Sequence, residues 1–402
     1  MPKSSLALSN IRGFLILLVI AFHSFLAYLG STPASPAQFN SPPYAWVAYP
    51  IVDSARWFGF DLFCAFLYVF MMQFMFFLSG LFVWPSLQSK GGKIFVQSRS
   101  VRLGVPFVLG ICLLMPAAHY PVYLVTALDP SWSAFWQQWK VLPFWPTGQL
   151  WFLWFLLALD VLAAGLYRMD PDGVLLGRLL GPDEPSRYVA RLVMVTAAGY
   201  LPLAVLFEPW EWLKVGPFSF QPSFSLIYVI YFFAGIAVGV PGIESGLLSA
   251  GGSLARRWST WSAGAFIGFV LWIIPTALSL VSGGATAQAL KIFADFGFAL
   301  SSALSCFGIL SVFLRFFATR SPVLESLSRN AYGMYVFHYL FVVWLQYGLL
   351  NSTLFAASKA GLVFTGSAVL SWTTAAGLGR ITIGPLIFGR ERRRVVMKAL
   401  SS

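Results

Sequence analysis

Two ionisable residues interrupt the first long apolar segment of the chain. Arg12 and His23 lie in residues 11–29, which read IRGFLILLVIAFHSFLAYL. Eleven residues at 100° each come to about 20° beyond three full turns, so a helix would place both side chains on one face. They would be about 16 Å apart along the axis, roughly half the hydrocarbon thickness of a bilayer. Arg12 is therefore expected at a membrane surface and His23 near the midplane.

A neutral imidazole at that depth can act as a general base on a hydroxyl or as a nucleophile, whereas a buried histidine is otherwise a hydrogen-bonding core residue. As a base it needs a partner that fixes its tautomer. Asp61, about one turn inside the outer end of the second apolar segment, and Asp160, in LLALDVL, are the candidate partners. Asp61 could instead be an interfacial residue and Asp160 a structural partner of a neighbouring helix, and the sequence does not choose.

Two further arginines begin the third apolar segment. Arg99 and Arg102, in SRSVRLGVP, are three residues apart and share a helix face. Two guanidinium groups bind a phosphate well, although arginines at such positions also anchor helices at the membrane surface. With Arg12, the pair predicts an anion site.

Aromatic and imidazole groups recur near the end of the chain. Tyr332, Tyr335 and His338 follow one another at i, i+3 and i+6 in residues 328–338, SRNAYGMYVFH. They would lie near one helix face, where they would line a polar cavity or join helices by hydrogen bonds. His119 is flanked by Pro116 and Pro121, which suggests a kinked helix beside an outward vestibule.

Composition excludes a soluble globular protein. The 402 residues are 58% hydrophobic and 10% charged, against about 25% charged residues in average domains. The first segment is longer than the apolar core of roughly 7–15 residues in a signal peptide, so it is expected to be retained. The sequence predicts an all-α polytopic membrane protein with about ten transmembrane helices. The predicted spans are 11–29, 57–83, 103–125, 149–167, 189–207, 224–240, 260–281, 289–314, 331–350 and 359–380.

The distribution of basic residues predicts the orientation. Twenty-one Lys and Arg residues fall on the side of the spans that holds the N-terminus, and five fall on the other side. Because cytoplasmic loops are enriched in Lys and Arg, both termini are expected in the cytoplasm. Residues 1–388 are expected to form the transmembrane domain, and residues 389–402 a basic cytoplasmic tail. No metal site and no disulfide framework are predicted.

Several motifs, in order along the chain, carry a family resemblance. They are Arg12-x10-His23, FFLSG at 76–80 followed by Arg99-x2-Arg102-Leu103, GQLWFL at 148–153 and AYGMYVFH at 331–338. With them the chain resembles acyltransferase family 3, the integral-membrane O-acyltransferases that modify surface and periplasmic glycans. It is most similar in detail to the branch of periplasmic-glucan succinyl-transfer proteins. One departure is Gln149, which stands where the family's HLWFL motif has histidine.

The resemblance implies a ten-span domain that takes an acyl group from cytoplasmic acyl-coenzyme A and transfers it to an acceptor on the outer face. It makes His23 the catalytic residue and Arg12, Arg99 and Arg102 contacts for the phosphates of the donor. We therefore expect a bacterial inner-membrane enzyme whose acceptor is a hydroxyl of a glycan, free or lipid-linked, with no nucleic-acid partner and no metal. The residues expected to bind substrate are Trp151, Tyr332, Tyr335 and His338. The alternative is a transporter or flippase that uses intramembrane Arg, His and Asp, and the oligomeric state stays open.

Overall fold

A computed structural model describes residues 3–181, 184–244 and 246–380. The predicted basic tail, 389–402, lies outside these residues. Within them the chain is mostly helical, with a single antiparallel hairpin of β1 (Leu213–Val215) and β2 (Phe218–Phe220). The helices are, in order, α1 (Lys3–Phe25), α2 (Phe58–Gly80), α3 (Val83–Lys90), α4 (Gly92–Arg99), α5 (Val105–Leu109), α6 (Met115–Leu124), α7 (Trp132–Lys140), α8 (Trp151–Met169), α9 (Val174–Leu180), α10 (Pro185–Leu206), α11 (Pro222–Gly239), α12 (Ser253–Arg256), α13 (Trp258–Val281), α14 (Gly284–Phe316), α15 (Pro322–Leu349) and α16 (Ala356–Leu378).

The all-α polytopic architecture predicted from the sequence is confirmed. Nine helical stretches in the described ranges are long and apolar enough to cross a membrane. They are Lys3–Tyr28, Phe58–Lys90, Gly92–Leu124, Gly148–Met169, Pro185–Leu206, Pro222–Gly239, Trp258–Val281, Gly284–Phe316 and Ala356–Leu378. The remaining predicted span, 331–350, falls largely in α15, a 28-residue helix that is not one of these nine. It packs against α1, α6 and α16 inside the bundle.

Prolines in the third stretch make attachment points for α15. Pro106 has no N–H to donate to the carbonyl of Arg102 four residues earlier, and that carbonyl accepts a hydrogen bond from the Tyr332 hydroxyl instead. Pro121 likewise has no N–H to donate to the carbonyl of Ala117, and this carbonyl accepts a hydrogen bond from the Trp344 indole at 3.0 Å instead. Five-residue π-helical turns precede α5 and α6 in the same stretch. The third stretch is thus tied to α15 at two points along its length.

The first helix lies against α15 at close range. A Cβ atom at Gly13 would lie 2.7 Å from the Leu324 carbonyl oxygen and 3.2 Å from the Ser328 backbone nitrogen. Only glycine allows the two backbones to approach this closely. The close approach aligns the inner face of α1 with the polar face of α15.

A network of buried polar contacts holds the loop between α1 and α2 on the side of the bundle where α1 ends. The Lys359 ammonium of α16 lies 2.8 Å from an Asp53 carboxylate oxygen, and both side chains are 1% exposed. The Arg56 guanidinium donates to the carbonyls of Thr32 and Pro33 at 3.0 and 2.7 Å. The loop is therefore fixed across the end of the bundle.

The aromatic residues Trp132, Phe135 and Trp139 lie on the short helix α7. The Ser131 hydroxyl caps it by accepting from the Ala134 N–H at 3.2 Å. Its aromatic face is turned inward, since Phe135 is fully buried and Trp139 packs on the His119 ring. This packing makes Phe135 and Trp139 part of the aromatic core of the loop region.

Candidate active site

The hydrogen bonds of His23 fix which ring nitrogen carries the proton. Nδ1 lies 2.8 Å from the Val19 carbonyl oxygen, which can only accept, so Nδ1 carries the hydrogen. The same nitrogen lies 3.3 Å from Nε2 of His338. The lone pair of His23 is therefore on Nε2, the form that a general base requires.

His338 is itself fixed by the backbone of α15. Its Nδ1 lies 2.8 Å from the Tyr335 carbonyl oxygen, so this nitrogen also carries hydrogen and Nε2 is an acceptor. The side chain is completely buried behind His23, with ring centroids 5.0 Å apart. His338 thus accepts from the Nδ1–H of His23 and orients its ring, a role different from the substrate contact expected from the sequence.

Neither carboxylate expected to assist His23 is its hydrogen-bond partner within the described residues. Asp61 accepts from the backbone N–H groups of Gly30 and Ser31 at 2.6 and 3.0 Å, which fixes the loop after α1. Asp160 is buried and lies 3.4 Å from Nε of Arg99. The expected carboxylate–histidine pair is replaced by a pair of histidines, because α15 presents His338 to α1 at that depth.

The three arginines selected from the sequence come together. Arg99 and Arg102 lie within electrostatic range of Arg12, whose guanidinium stacks 4.2 Å from the centre of the Phe82 ring. Arg102 lies over the Tyr332 ring at 5.5 Å. Because Asp160 compensates only one of the three charges, the cluster keeps an excess of positive charge suited to a polyanion.

A cavity of about 1350 Å³ contains His23 and extends toward the side of the bundle where α1 ends. Aromatic side chains contributed by six helices and their connections make up much of its wall. They include Tyr68, Trp151, Tyr200, Trp212, Phe224, Tyr228, Trp272, Tyr335 and Tyr339. The three arginines are not part of this wall, so the cluster and the cavity are separate sites joined by α1 and α15.

Two amide oxygens in the cavity wall have no hydrogen-bond partner within the described residues. They are Oε1 of Gln73 and Oε1 of Gln149, both on buried side chains. The Gln149 amide nitrogen donates to the Val336 carbonyl at 3.3 Å, which leaves the oxygen as a free acceptor. Buried acceptors are normally satisfied. Because neither oxygen has accessible surface, a hydroxyl group of a ligand would reach it only after the side chain turns toward the cavity.

Of the four residues predicted to bind substrate, two line the cavity and two lie outside its wall. Trp151 and Tyr335 line the cavity. Tyr332 lies at the arginine cluster, and His338 lies behind His23. His119 lines the cavity as well, with its ring 5.8 Å from that of Tyr339.

Sequence reasoning missed a group of charged residues in the same wall. Asp295 accepts from the Tyr200 hydroxyl at 3.3 Å, and Lys291 lies 3.3 Å from Glu208. Lys214 lies 3.8 Å from the centre of the Phe144 ring, and partial burial lowers the pKa of its ammonium. Asp295 could have been found from the sequence, because it lies within a predicted span and an Asp in a span usually faces a cavity or a partner.

Comparison with known proteins places this geometry in a family. The family model described as an acyltransferase domain matches residues 5–376, which is nearly the whole chain. Comparisons with curated proteins and with solved structures give no match. The match includes α1, the arginine cluster, the cavity and the histidine pair on α15. The chain belongs to acyltransferase family 3 and is a multi-span membrane acyltransferase.

Proposed function

We propose that the protein transfers an acyl group from acyl-coenzyme A on the cytoplasmic side to a hydroxyl of a glycan on the outer side of a bacterial inner membrane. The observation that carries the proposal is Nε2 of His23, for which the described residues show no hydrogen-bond partner, while its Nδ1–H is shared by Val19 and His338. The lone pair on Nε2 belongs to a side chain in the wall of a large aromatic cavity. It is placed to remove a proton from a ligand in that cavity.

The donor would bind through its phosphates at Arg12, Arg99 and Arg102. These residues lie at the end of α1 that carries the predicted cytoplasmic charge excess, about 16 Å along the axis from His23. The pantetheine arm would run along α15 past Tyr332 and Tyr335, in a passage that avoids the tight contact of α1 with α15 at Gly13. Since the arginines do not line the cavity, donor binding must widen this passage.

The transfer step needs only the groups already described. His23 Nε2 takes the proton of the acceptor hydroxyl while its oxygen attacks the thioester carbonyl. The new C–O bond forms, the C–S bond breaks, and the leaving coenzyme thiolate takes the proton back from the imidazolium. His338 Nε2, as acceptor of the Nδ1–H, stabilises the imidazolium in between.

The acceptor site would use the aromatic wall and the two free amide oxygens. Trp151, Trp212 and Tyr228 offer flat faces that suit the apolar face of a sugar ring. Oε1 of Gln73 and Oε1 of Gln149 would accept from its hydroxyl groups. This assignment gives Gln149 a binding role in place of the histidine of the family motif.

Mass spectrometry of surface and periplasmic glycans, from cells with and without the protein, tests the proposal. We expect one ester to disappear in its absence and to return with the wild-type protein but not with His23→Ala. Glycans with identical acylation in all three strains would contradict it.

The positioning role of His338 predicts a graded response to substitution. His338→Leu removes the acceptor for the His23 Nδ1–H, and we expect kcat to fall roughly 10- to 100-fold with an unchanged KM for the donor. His338→Gln restores an acceptor oxygen and should recover most of the loss. If both variants lose activity equally while their thermal unfolding matches the wild type, His338 does not act through its lone pair.

Phosphate recognition predicts a defect that depends on the donor. Arg12→Met should raise the KM for acetyl-coenzyme A and succinyl-coenzyme A roughly 10- to 100-fold, because charge-assisted hydrogen bonds to phosphate are lost. With S-acetyl-pantetheine, which lacks phosphates, the variant should match the wild type. Arg315→Met is the control, since Arg315 also stacks on an aromatic ring, at 6.0 Å from Phe316, but is outside the cluster. A KM defect of equal size for both donors would exclude a phosphate contact.

A further inference from the structure

We propose that the acceptor is an amphiphile, a hydroxyl-bearing head group on a hydrocarbon chain, and that it enters the cavity sideways from the membrane between α2 and α13. The reaction rests on the proposed function, with the same proton, C–O and C–S changes. The route rests on how α2, α13 and α14 pack. We call the opening the lateral slot and define it by Leu62 and Ala65 of α2 and Ile273, Ile274 and Ala277 of α13.

The inner halves of these helices are joined. The Ser302 hydroxyl of α14 donates to the Val69 carbonyl of α2 at 2.6 Å, and the Cys306 thiol lies 3.7 Å from the Phe70 carbonyl. Phe66 of α2 and Phe269 of α13 meet edge to face, with ring centroids 5.4 Å apart. These contacts close the bundle below the slot.

The outer halves separate. Leu62 and Ile274 line the cavity and are 43% and 51% exposed. Ile267, on the same face of α13 as Ile274 but outside the cavity wall, is 56% exposed, so this face of α13 is also a lipid-facing surface. Residues that belong both to a cavity wall and to the lipid-facing surface mark an opening between the two. Ile274 is seven residues from the end of α13, about 10 Å along the axis, so the slot reaches past the head-group region into the hydrocarbon.

The side chains of the cavity wall differ between the lateral slot and the inner end of the cavity. The slot is lined by aliphatic side chains, whereas the inner end holds His23 with the free amide oxygens of Gln73 and Gln149. A fully water-soluble glycan gains nothing from an aliphatic opening at hydrocarbon depth. An amphiphile matches both ends, with its hydroxyl head at His23 and its chain lying through the slot into the bilayer.

A substitution that fills the slot should weaken binding of an acceptor with a hydrocarbon chain and not that of an acceptor without one. Ile274→Trp fills the slot, and with labelled acetyl-coenzyme A we expect the KM for dodecyl β-D-glucoside to rise at least tenfold and that for methyl β-D-glucoside to stay unchanged. Ile267→Trp is the matched control: the same residue type, two turns away on the same face, 56% exposed and outside the cavity wall. Equal effects of Ile274→Trp on both glucosides, or none on either, would overturn the proposal.

A labelling experiment tests the route without enzyme activity. In vesicles that contain a phospholipid with a diazirine on its acyl chain, light should label the region of Cys64 and Met71, which are buried residues of the cavity wall. Phe77, equally buried in the same helix but outside that wall, is the control. We expect Ile274→Trp to remove the label at Cys64 and Met71. Labelling without transfer would overturn the proposed function alone, and transfer without labelling would overturn the lateral route alone.

Discussion

Replacing His23 with Ala is expected to lower the rate of acyl transfer roughly a thousandfold. Among the described residues, no other base in the wall of the cavity is oriented by a second histidine as His23 is. The donor KM should change little, since the phosphates bind about 16 Å away along α1. The measurement is transfer of labelled acetyl or succinyl groups from coenzyme A to methyl β-D-glucoside by purified protein. Thermal unfolding and membrane insertion should match the wild type.

His119 supplies the matched control for this variant. Its Nδ1 also lies 2.8 Å from the carbonyl oxygen four residues earlier, that of Met115, but the described residues give it no imidazole partner like His338. His119→Ala should therefore cause a much smaller loss. If the two variants behave alike, or if His23→Ala transfers at the normal rate, His23 is not the base.

Replacing Lys359 with Met is expected to destabilise the protein by about 3–5 kcal/mol, the usual cost of leaving one member of a buried ion pair alone. Both oxygens of Asp53 lie within 3.0 Å of the Lys359 ammonium, and the Leu350 carbonyl accepts from it at 3.3 Å. Without the lysine, the carboxylate is buried without its countercharge. Thermal and chemical unfolding in mixed micelles would measure the change.

The double variant Lys359→Met, Asp53→Asn tests the reason for that effect. Removing both charges should recover a large part of the lost stability, because no uncompensated charge remains. The exposed pair of Arg257 and Glu184, 3.9 Å apart, is the comparison, and Arg257→Met should change stability by less than about 1 kcal/mol. If Lys359→Met unfolds no more easily than Arg257→Met, the buried pair does not hold the loop.

The periodic features of the fold could be predicted from the sequence. Hydropathy over windows of about 20 residues locates spans because every backbone polar group in lipid must be satisfied within a helix. The shared face of Arg12 and His23 follows from helix geometry alone. The position of α15 inside the bundle was harder to predict from hydropathy. A helix that is surrounded by other helices does not face lipid and so need not have an apolar surface.

The partners of the polar residues could not be predicted, because they depend on tertiary contacts. His338 is 315 residues from His23 in the chain, and only the packing of α1 on α15 at Gly13 brings them together. Asp160 was expected near His23, but helix α8 faces it toward Arg99. Lys359 is one of the five basic residues on the side of the spans away from the N-terminus, and nothing in the local sequence indicates that Asp53 lies beside it.

Transfer across a sealed membrane is the most direct test of the central claim, that His23 passes an acyl group from a cytoplasmic donor to an outer acceptor. Inverted membrane vesicles would hold methyl β-D-glucoside in the lumen, and acetyl-coenzyme A labelled in the acetyl group would be added outside. We predict labelled ester inside the vesicles and free coenzyme outside, with neither product from His23→Ala. Equal luminal ester from His23→Ala, or unlabelled luminal glucoside with the wild-type protein, would contradict the account.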